Sequence, residues 1–225
     1  MKNAVWICTL SAAAALAAGG LLEATLARMD QAAARFKDLS ADIRRVHHTN
    51  VINEDTVDSG TILLKRPKPH DVRAFFDIKQ PDPKQVSIDS HKAQLYYPKI
   101  ATVQEYDLGK YKSLADQFLL LGFGSTSKEL ESAYKISLGG PETLGTEKTT
   151  RIELIPKSPD TVANLQRVDL WISDASGLPV QQKLYWPGGD YDLATYMNIK
   201  VNPNLPDSAF KLNLPKGVKR EYPQK

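Results

Sequence analysis

Apolar side chains recur first at helical and then at strand spacing along this chain. Leu22, Leu26, Met29, Ala33 and Phe36 fall on one helical face, with Glu23, Arg28, Asp30, Arg35 and Lys37 mostly elsewhere, which predicts an amphipathic helix docked on an apolar surface. From Leu39 the period changes to two. Leu39, Ala41 and Ile43 alternate with Ser40, Asp42 and Arg44. After the polar turn Asn53-Glu54-Asp55, a second strand runs through Gly60-Thr61-Ile62-Leu63-Leu64 and ends at Lys65-Arg66-Pro67. In a third strand Val72, Ala74, Phe76 and Ile78 share one face and Asp71, Arg73, Phe75 and Asp77 the other, the signature of a half-buried antiparallel strand. Gln80-Pro81-Asp82-Pro83 turns the chain, and the pairs and triplets Val86/Ile88, Ala93/Leu95/Tyr97 and Thr102/Gln104/Tyr106 mark three more short strands.

Helical spacing returns at Tyr111, Leu114, Ala115, Phe118 and Leu119, up to Gly122, and Thr126 with Glu129 can form a capping box at the start of a short helix carrying Leu130 and Ala133. Strands then resume at Ile136/Leu138, Ile152/Leu154 and Val168/Leu170/Ile172. The turn Asp174-Ala175-Ser176-Gly177 leads into Val180, Gln182, Leu184 and Trp186, and Pro187-Gly188-Gly189-Asp190 leads into Tyr191, Leu193, Thr195, Met197 and Ile199. The pattern predicts an α+β protein of ten or eleven strands and two or three helices. No stretch rich in Gly, Ser or Pro separates it, so residues 21–225 are expected to form one domain. A large antiparallel sheet needs a cover for its apolar face. A helix of about fifteen residues covers only about 22 Å, so the few helices leave room for a lidded apolar groove, although the same stripes would serve a close-packed core.

Composition narrows the class. With 42% hydrophobic and 24% charged residues the 225-residue chain is neither a disordered polyelectrolyte nor a multi-span membrane protein, and a net charge of +3 is too slight to imply nucleic acid as a partner. Lys2, the uncharged stretch from Ala4 to Ala18 and the small-x-small triplet Ala15-Leu16-Ala17 predict a secretory signal over residues 1–20, cleaved to leave an exported chain. Its only cysteine, Cys8, lies within that stretch, so no thiol chemistry or disulfide is expected after cleavage. His47, His48, His70 and His91 lack a helical His-x-x-x-His or a cysteine partner, and no metal or cofactor is expected. Gly122-Phe123-Gly124-Ser125 lacks the Lys-Ser/Thr ending of a phosphate-binding loop and reads as a hinge between two helices. There is no Gly-x-Ser-x-Gly, which argues against a secreted hydrolase.

The order of motifs over residues 59–106 resembles the outer-membrane lipoprotein carrier family, the LolA-like proteins: a strand into Leu64-Lys65-Arg66-Pro67, an aromatic strand, Gln80-Pro81-Asp82, Val86-Ser87-Ile88-Asp89, then Leu95-Tyr96-Tyr97-Pro98. The helix exit Phe36-Lys37-Asp38-Leu39 and the C-terminal Asp207-Ser208-Ala209-Phe210 and Leu214-Pro215-Lys216-Gly217-Val218 continue the match. Asp89-Ser90-His91, where the family usually has Asp-Gly, and Ala74, where a tryptophan is common, depart from it. The resemblance implies a large antiparallel sheet curved into a half-open β-barrel, covered by the N-terminal helix and central lid helices. It also implies a monomeric, non-enzymatic periplasmic carrier of lipoprotein acyl chains, taking cargo from an inner-membrane ABC-type release complex and passing it to an outer-membrane acceptor. Arg66 matches the family's lid-gating arginine. Met29, Phe36, Leu63, Val72, Ala74, Phe76, Ile78, Leu95, Tyr97, Phe118 and Leu119 are candidates to line the acyl groove, and simple core serves the same apolar positions. A periplasmic sensor or regulatory binding domain on the same fold, and a carrier of a different envelope lipid, are the alternatives.

Overall fold

The computed structural model describes residues 9–68, 71–89, 91–109 and 121–224, with side chains of the first helix described from Gly19 onward. Expectations resting on Cys8, His70, Tyr111, Leu114, Ala115, Phe118 and Leu119 lie outside the described residues. Helix α1 (Thr9–Arg35) precedes strands β1 (Asp38–Thr49), β2 (Glu54–Lys68), β3 (Asp71–Gln80), β4 (Lys84–Asp89), β5 (Lys92–Tyr97) and β6 (Thr102–Asp107). After the short helix α2 (Ser127–Ala133) come β7 (Tyr134–Leu144), β8 (Glu147–Pro156), the single turn α3 (Pro159–Val162), β9 (Arg167–Ser173), β10 (Pro179–Tyr185), β11 (Tyr191–Val201) and β12 (Lys219–Glu221).

Among the described residues all twelve strands belong to one sheet in the order β12-β6-β5-β4-β3-β2-β1-β11-β10-β9-β8-β7, antiparallel except for the β12–β6 pair, and its two edges do not meet. The sheet is therefore curved and not closed. Register shifts at Ser40/Asp42, Ser59/Gly60, Lys65/Lys68, Leu138/Gly140 and Pro179/Gln181 put extra residues into one strand of a pair, which bends the ladder and raises its twist. The hydrophobic pattern locates the longer strands. It gives no sign of α3 or β12, both too short to show a period.

Because partners across the ladder share a face, the register separates concave from convex side chains. Leu39, Ala41, Ile43, Ile62, Leu64, Val72, Ala74 and Ile78 stand on the concave face and pack with Phe36, Phe123, Leu178, Ala194 and Tyr196. Further along the same face Ile152, Leu154, Val168, Leu170 and Ile172 pack against Met29, Leu121, Leu130 and Tyr134. Helix α1 thus lies over the concave side. It approaches the β9–β10 turn so closely that a Cβ on Gly177, whose φ is +72°, would come within 2.5 Å of the Arg28 carbonyl oxygen. Among the described residues no helix is long and apolar enough to cross a membrane.

Candidate functional site

The concave face is not covered evenly. Over β1, β2, β8 and β9 its side chains are sealed under α1 and residues 121–124, whereas on β3 to β6 Phe76, Val86, Ile88, Leu95, Tyr97 and Tyr106 are only half-buried. On β4 to β6 the buried positions are mostly convex. Ser87, Tyr96, Val103 and Glu105 are buried there, against only Ala93 and Thr102 of the concave series, because the C-terminal segment runs over the back of the sheet: the Ser87 hydroxyl donates to the Phe210 carbonyl at 2.6 Å, and Lys65 and Arg73 pair with Asp207. These two bases hold the Asp207 carboxyl down at about 2, first through the Lys65 hydrogen bond and then through Arg73. The wing is therefore stiffened from behind while its apolar inner surface stays partly open.

The cover over the sealed part ends in a loop held at several points. Residues 121–124 form turns in which Gly122 and Gly124 have φ of +81° and +72°. Phe123 points inward, 1% exposed, with its ring edge-on to Tyr196 at 4.9 Å. The Arg66 guanidinium donates to the Gly124 carbonyl and, at 2.8 Å, to Glu129 Oε1. Glu129 closes the capping box with Thr126 at the start of α2, accepting from the Thr126 N–H at 2.8 Å. Asp30 on α1 accepts from the Ser127 N–H and hydroxyl at 2.6 and 2.7 Å, tying α2 to α1. Beneath the loop, Gln182 donates its amide N–H to the Leu121 carbonyl and accepts from the Tyr196 hydroxyl at 3.0 Å. Burial alone pushes the Tyr196 phenol well up, so it stays protonated and available as a donor.

Burial opposes ionisation of Glu129, but hydrogen bonds from Thr126 and Arg66 outweigh it and hold the carboxyl below its ordinary value. A carboxylate with a depressed folded value contributes stability that is complete above the unfolded value and lost as pH falls through the folded one. The latch between Arg66 and Glu129 is thus expected to be intact at neutral pH and to give way below the ordinary glutamate value of about 4.3. The protection factor of the Thr126 amide, which donates to Glu129, should fall on acidification in this window. Glu129→Gln should flatten that pH dependence, and an unchanged profile in the variant would contradict the assignment.

Of the residues singled out from sequence, Arg66 stands at the loop. Phe36, Val72, Ala74 and Ile78 meet in the sealed cluster, with Phe76 packed against it, while Met29 belongs to the second cluster beside Leu121. Leu95 and Tyr97 line the half-open wing. Leu63 is a correction. It pairs with Ser40 and Phe75, one position out of step with Leu64, so the two-residue period places it on the convex face, in an open depression with Ser40, Thr61 and Lys200. Gln182, Tyr196, Phe123 and Asp30 have no site role in the sequence reading. Only Gln182 carries a signal there, as a polar residue in the alternating series Val180, Gln182, Leu184 and Trp186.

Residues 37–213 match the family model described as "Outer membrane lipoprotein carrier protein LolA", which covers most of the chain. The chain belongs to the LolA family. A protein named outer-membrane lipoprotein carrier protein from Ralstonia nicotianae is 25% identical over 160 residues, which are 71% of this chain and 67% of that one. Among solved structures, an uncharacterized conserved protein of Thermus thermophilus superposes with a TM-score of 0.55 at 12% identity, over 90% of this chain and 99% of the other. MucB superposes with a TM-score of 0.52 at 14% identity, over 86% of this chain and 63% of MucB. At these identities the structural neighbours establish the shared curved-sheet fold and nothing more. Family and fold together make this a LolA-type binding or carrier protein.

Proposed function

We propose that this LolA-family chain is a periplasmic carrier that takes up the acyl chains of lipoproteins on the half-open wing of its concave face and shuttles them from inner to outer membrane. The observation that carries this reading is the uneven cover: Phe76, Val86, Ile88, Leu95 and Tyr106 form an apolar strip left half-exposed next to a loop held by Arg66. A strip of this kind fits a flexible chain of methylene groups, which needs area and no fixed polar geometry. About fifteen buried CH₂ groups contribute on the order of 12 kcal/mol. Affinity of that size demands a release device, and the loop latch is suited to be one. In this scheme residues 1–20 direct export and are removed, cargo comes from an inner-membrane ABC-type release complex, and an outer-membrane acceptor receives it. Arg66 favours the closed, empty state.

Native mass spectrometry of protein isolated from its own periplasm should show a retained mass in the range of a lipoprotein or lipid. Protein carrying no adduct, and indifferent to acyl chains in dye displacement, would remove the reading. Leu95→Lys places an ammonium in the strip at a half-exposed position. It is expected to weaken displacement of an apolar dye by acyl chains at least tenfold, because the cation must be desolvated against hydrocarbon, while shifting the melting temperature by only a few degrees. Equal affinity in the variant would place the ligand elsewhere.

A further inference from the structure

Beneath the loop, the concave face carries a buried polar pair with no part in the ladder that holds the sheet together. Gln182 is 6% exposed and Tyr196 9%, and both face inward from β10 and β11 among Ala194, Leu170 and Phe123. The orientation of the amide is fixed by its neighbours. Leu121 offers a carbonyl, which can only accept, so the NH₂ group must face it, and the amide oxygen then faces the Tyr196 hydroxyl, which donates. Among the described residues the two side chains thus bond to each other and to one carbonyl of the loop. A polar pair inside an apolar surface costs stability unless each donor finds an acceptor, and here that acceptor belongs to the very segment that covers the face.

When residues 121–124 lift, Leu121 and Phe123 leave together and the sealed floor joins the half-open wing as one apolar surface. Gln182 then faces that surface with a free N–H. An alkyl chain cannot satisfy it. A carbonyl oxygen can, and the groups that carry a carbonyl at the head of an acyl chain are esters and amides. We infer that Gln182, oriented by Tyr196, is a ligand-binding residue that hydrogen-bonds the ester or amide carbonyl of an acyl chain in place of the Leu121 carbonyl. The inference rests on the acyl-binding reading and refines it: the pair turns a general hydrocarbon surface into one that selects acylated molecules and sets how deep the chain sits. The exchange of one carbonyl for another also keeps the pair satisfied in both the covered and the loaded state.

The test compares methyl laurate with dodecyl methyl ether, similar in length and differing in the carbonyl oxygen, as displacers of an apolar fluorescent dye from the full chain. The wild type should prefer the ester by about tenfold, the size expected for a hydrogen bond whose loss strands a buried donor. Gln182→Leu should bind both ligands with the preference gone. Tyr196→Phe keeps the ring and removes the hydroxyl that aims the amide; it should reduce the preference without abolishing binding, and it serves as the second variant if Gln182→Leu does not fold. An ester preference retained in both variants, or equal displacement by both ligands in the wild type, overturns this inference and leaves the carrier reading in place. Displacement by neither ligand overturns the carrier reading and this inference with it.

Discussion

Arg66→Leu is expected to bind acyl chains at least as tightly as the wild type and to transfer them to acceptor membranes more slowly by one to two orders of magnitude. The guanidinium makes two contacts, to the Gly124 carbonyl and to Glu129, and so ties the loop and the start of α2 to β2. Hydrogen bonds to a charged group are worth about 1.5–3 kcal/mol. The latch therefore stabilises the covered, empty state by that order, and any ligand must displace it. Removing it leaves the loaded state unchanged but takes away the state that the emptied protein returns to, so apparent affinity rises and release slows. The hydrophobic side of the loop, Phe123 against Tyr196, remains in place, so the variant should fold with little change in melting temperature. Transfer of a fluorescent lipid to acceptor vesicles, set beside dye displacement, measures both quantities. Transfer at the normal rate with normal affinity would show that Arg66 is an ordinary surface-facing arginine.

Gly60→Ala is expected to be the most damaging small substitution in the described sheet. Gly60 lies in β2 opposite Ile43 on one side and Ile78 on the other, at a register shift. A Cβ there would sit 2.0 Å from the Asp77 carbonyl oxygen and 2.8 Å from the Ile78 Cα. Both are backbone atoms of β3 and cannot swing aside as a side-chain tip could. The strands must part in the middle of the wall, breaking ladder hydrogen bonds and disturbing the concave cluster that contains Ile62, Ile78 and Ile43. A loss of about 3 kcal/mol or more follows, which for a chain of this size is a fall of roughly 6–12 °C in melting temperature, or failure to accumulate folded protein. Calorimetry of the purified variant decides it. A melting temperature within a degree or two of wild type would mean that β2 and β3 separate at little cost.

The latch and the groove are legible in the sequence to different degrees. Arg66 is marked by its place before Pro67 in the motif order, and Thr126 with Glu129 by the capping-box spacing. That these two features meet is not, because 63 positions separate Arg66 from Glu129 and nothing local relates them. The inward faces of β1 and β3 are readable because alternation marks them. On β2 alternation fails: Ile62, Leu63 and Leu64 are all apolar, and only register decides that Leu63 faces outward. On β4 to β6 apolar character alone does not decide burial. The C-terminal segment covers the convex side and buries Ser87 and Glu105 ahead of Val86 and Leu95.

The sequence by itself determined the α+β class, the order and approximate bounds of most strands, the docking face of the first helix and the family. Those properties are written in periods of two and 3.6 residues and in short motifs, which act over neighbours along the chain. Tertiary structure alone decided which part of the concave face is sealed and which is half-open, that Gln182 and Tyr196 lie under the loop, and that the partners of Arg66 are the Gly124 carbonyl and Glu129. Each of these depends on contacts between segments dozens of residues apart, and such contacts are fixed by strand register and by the bulges that bend the sheet.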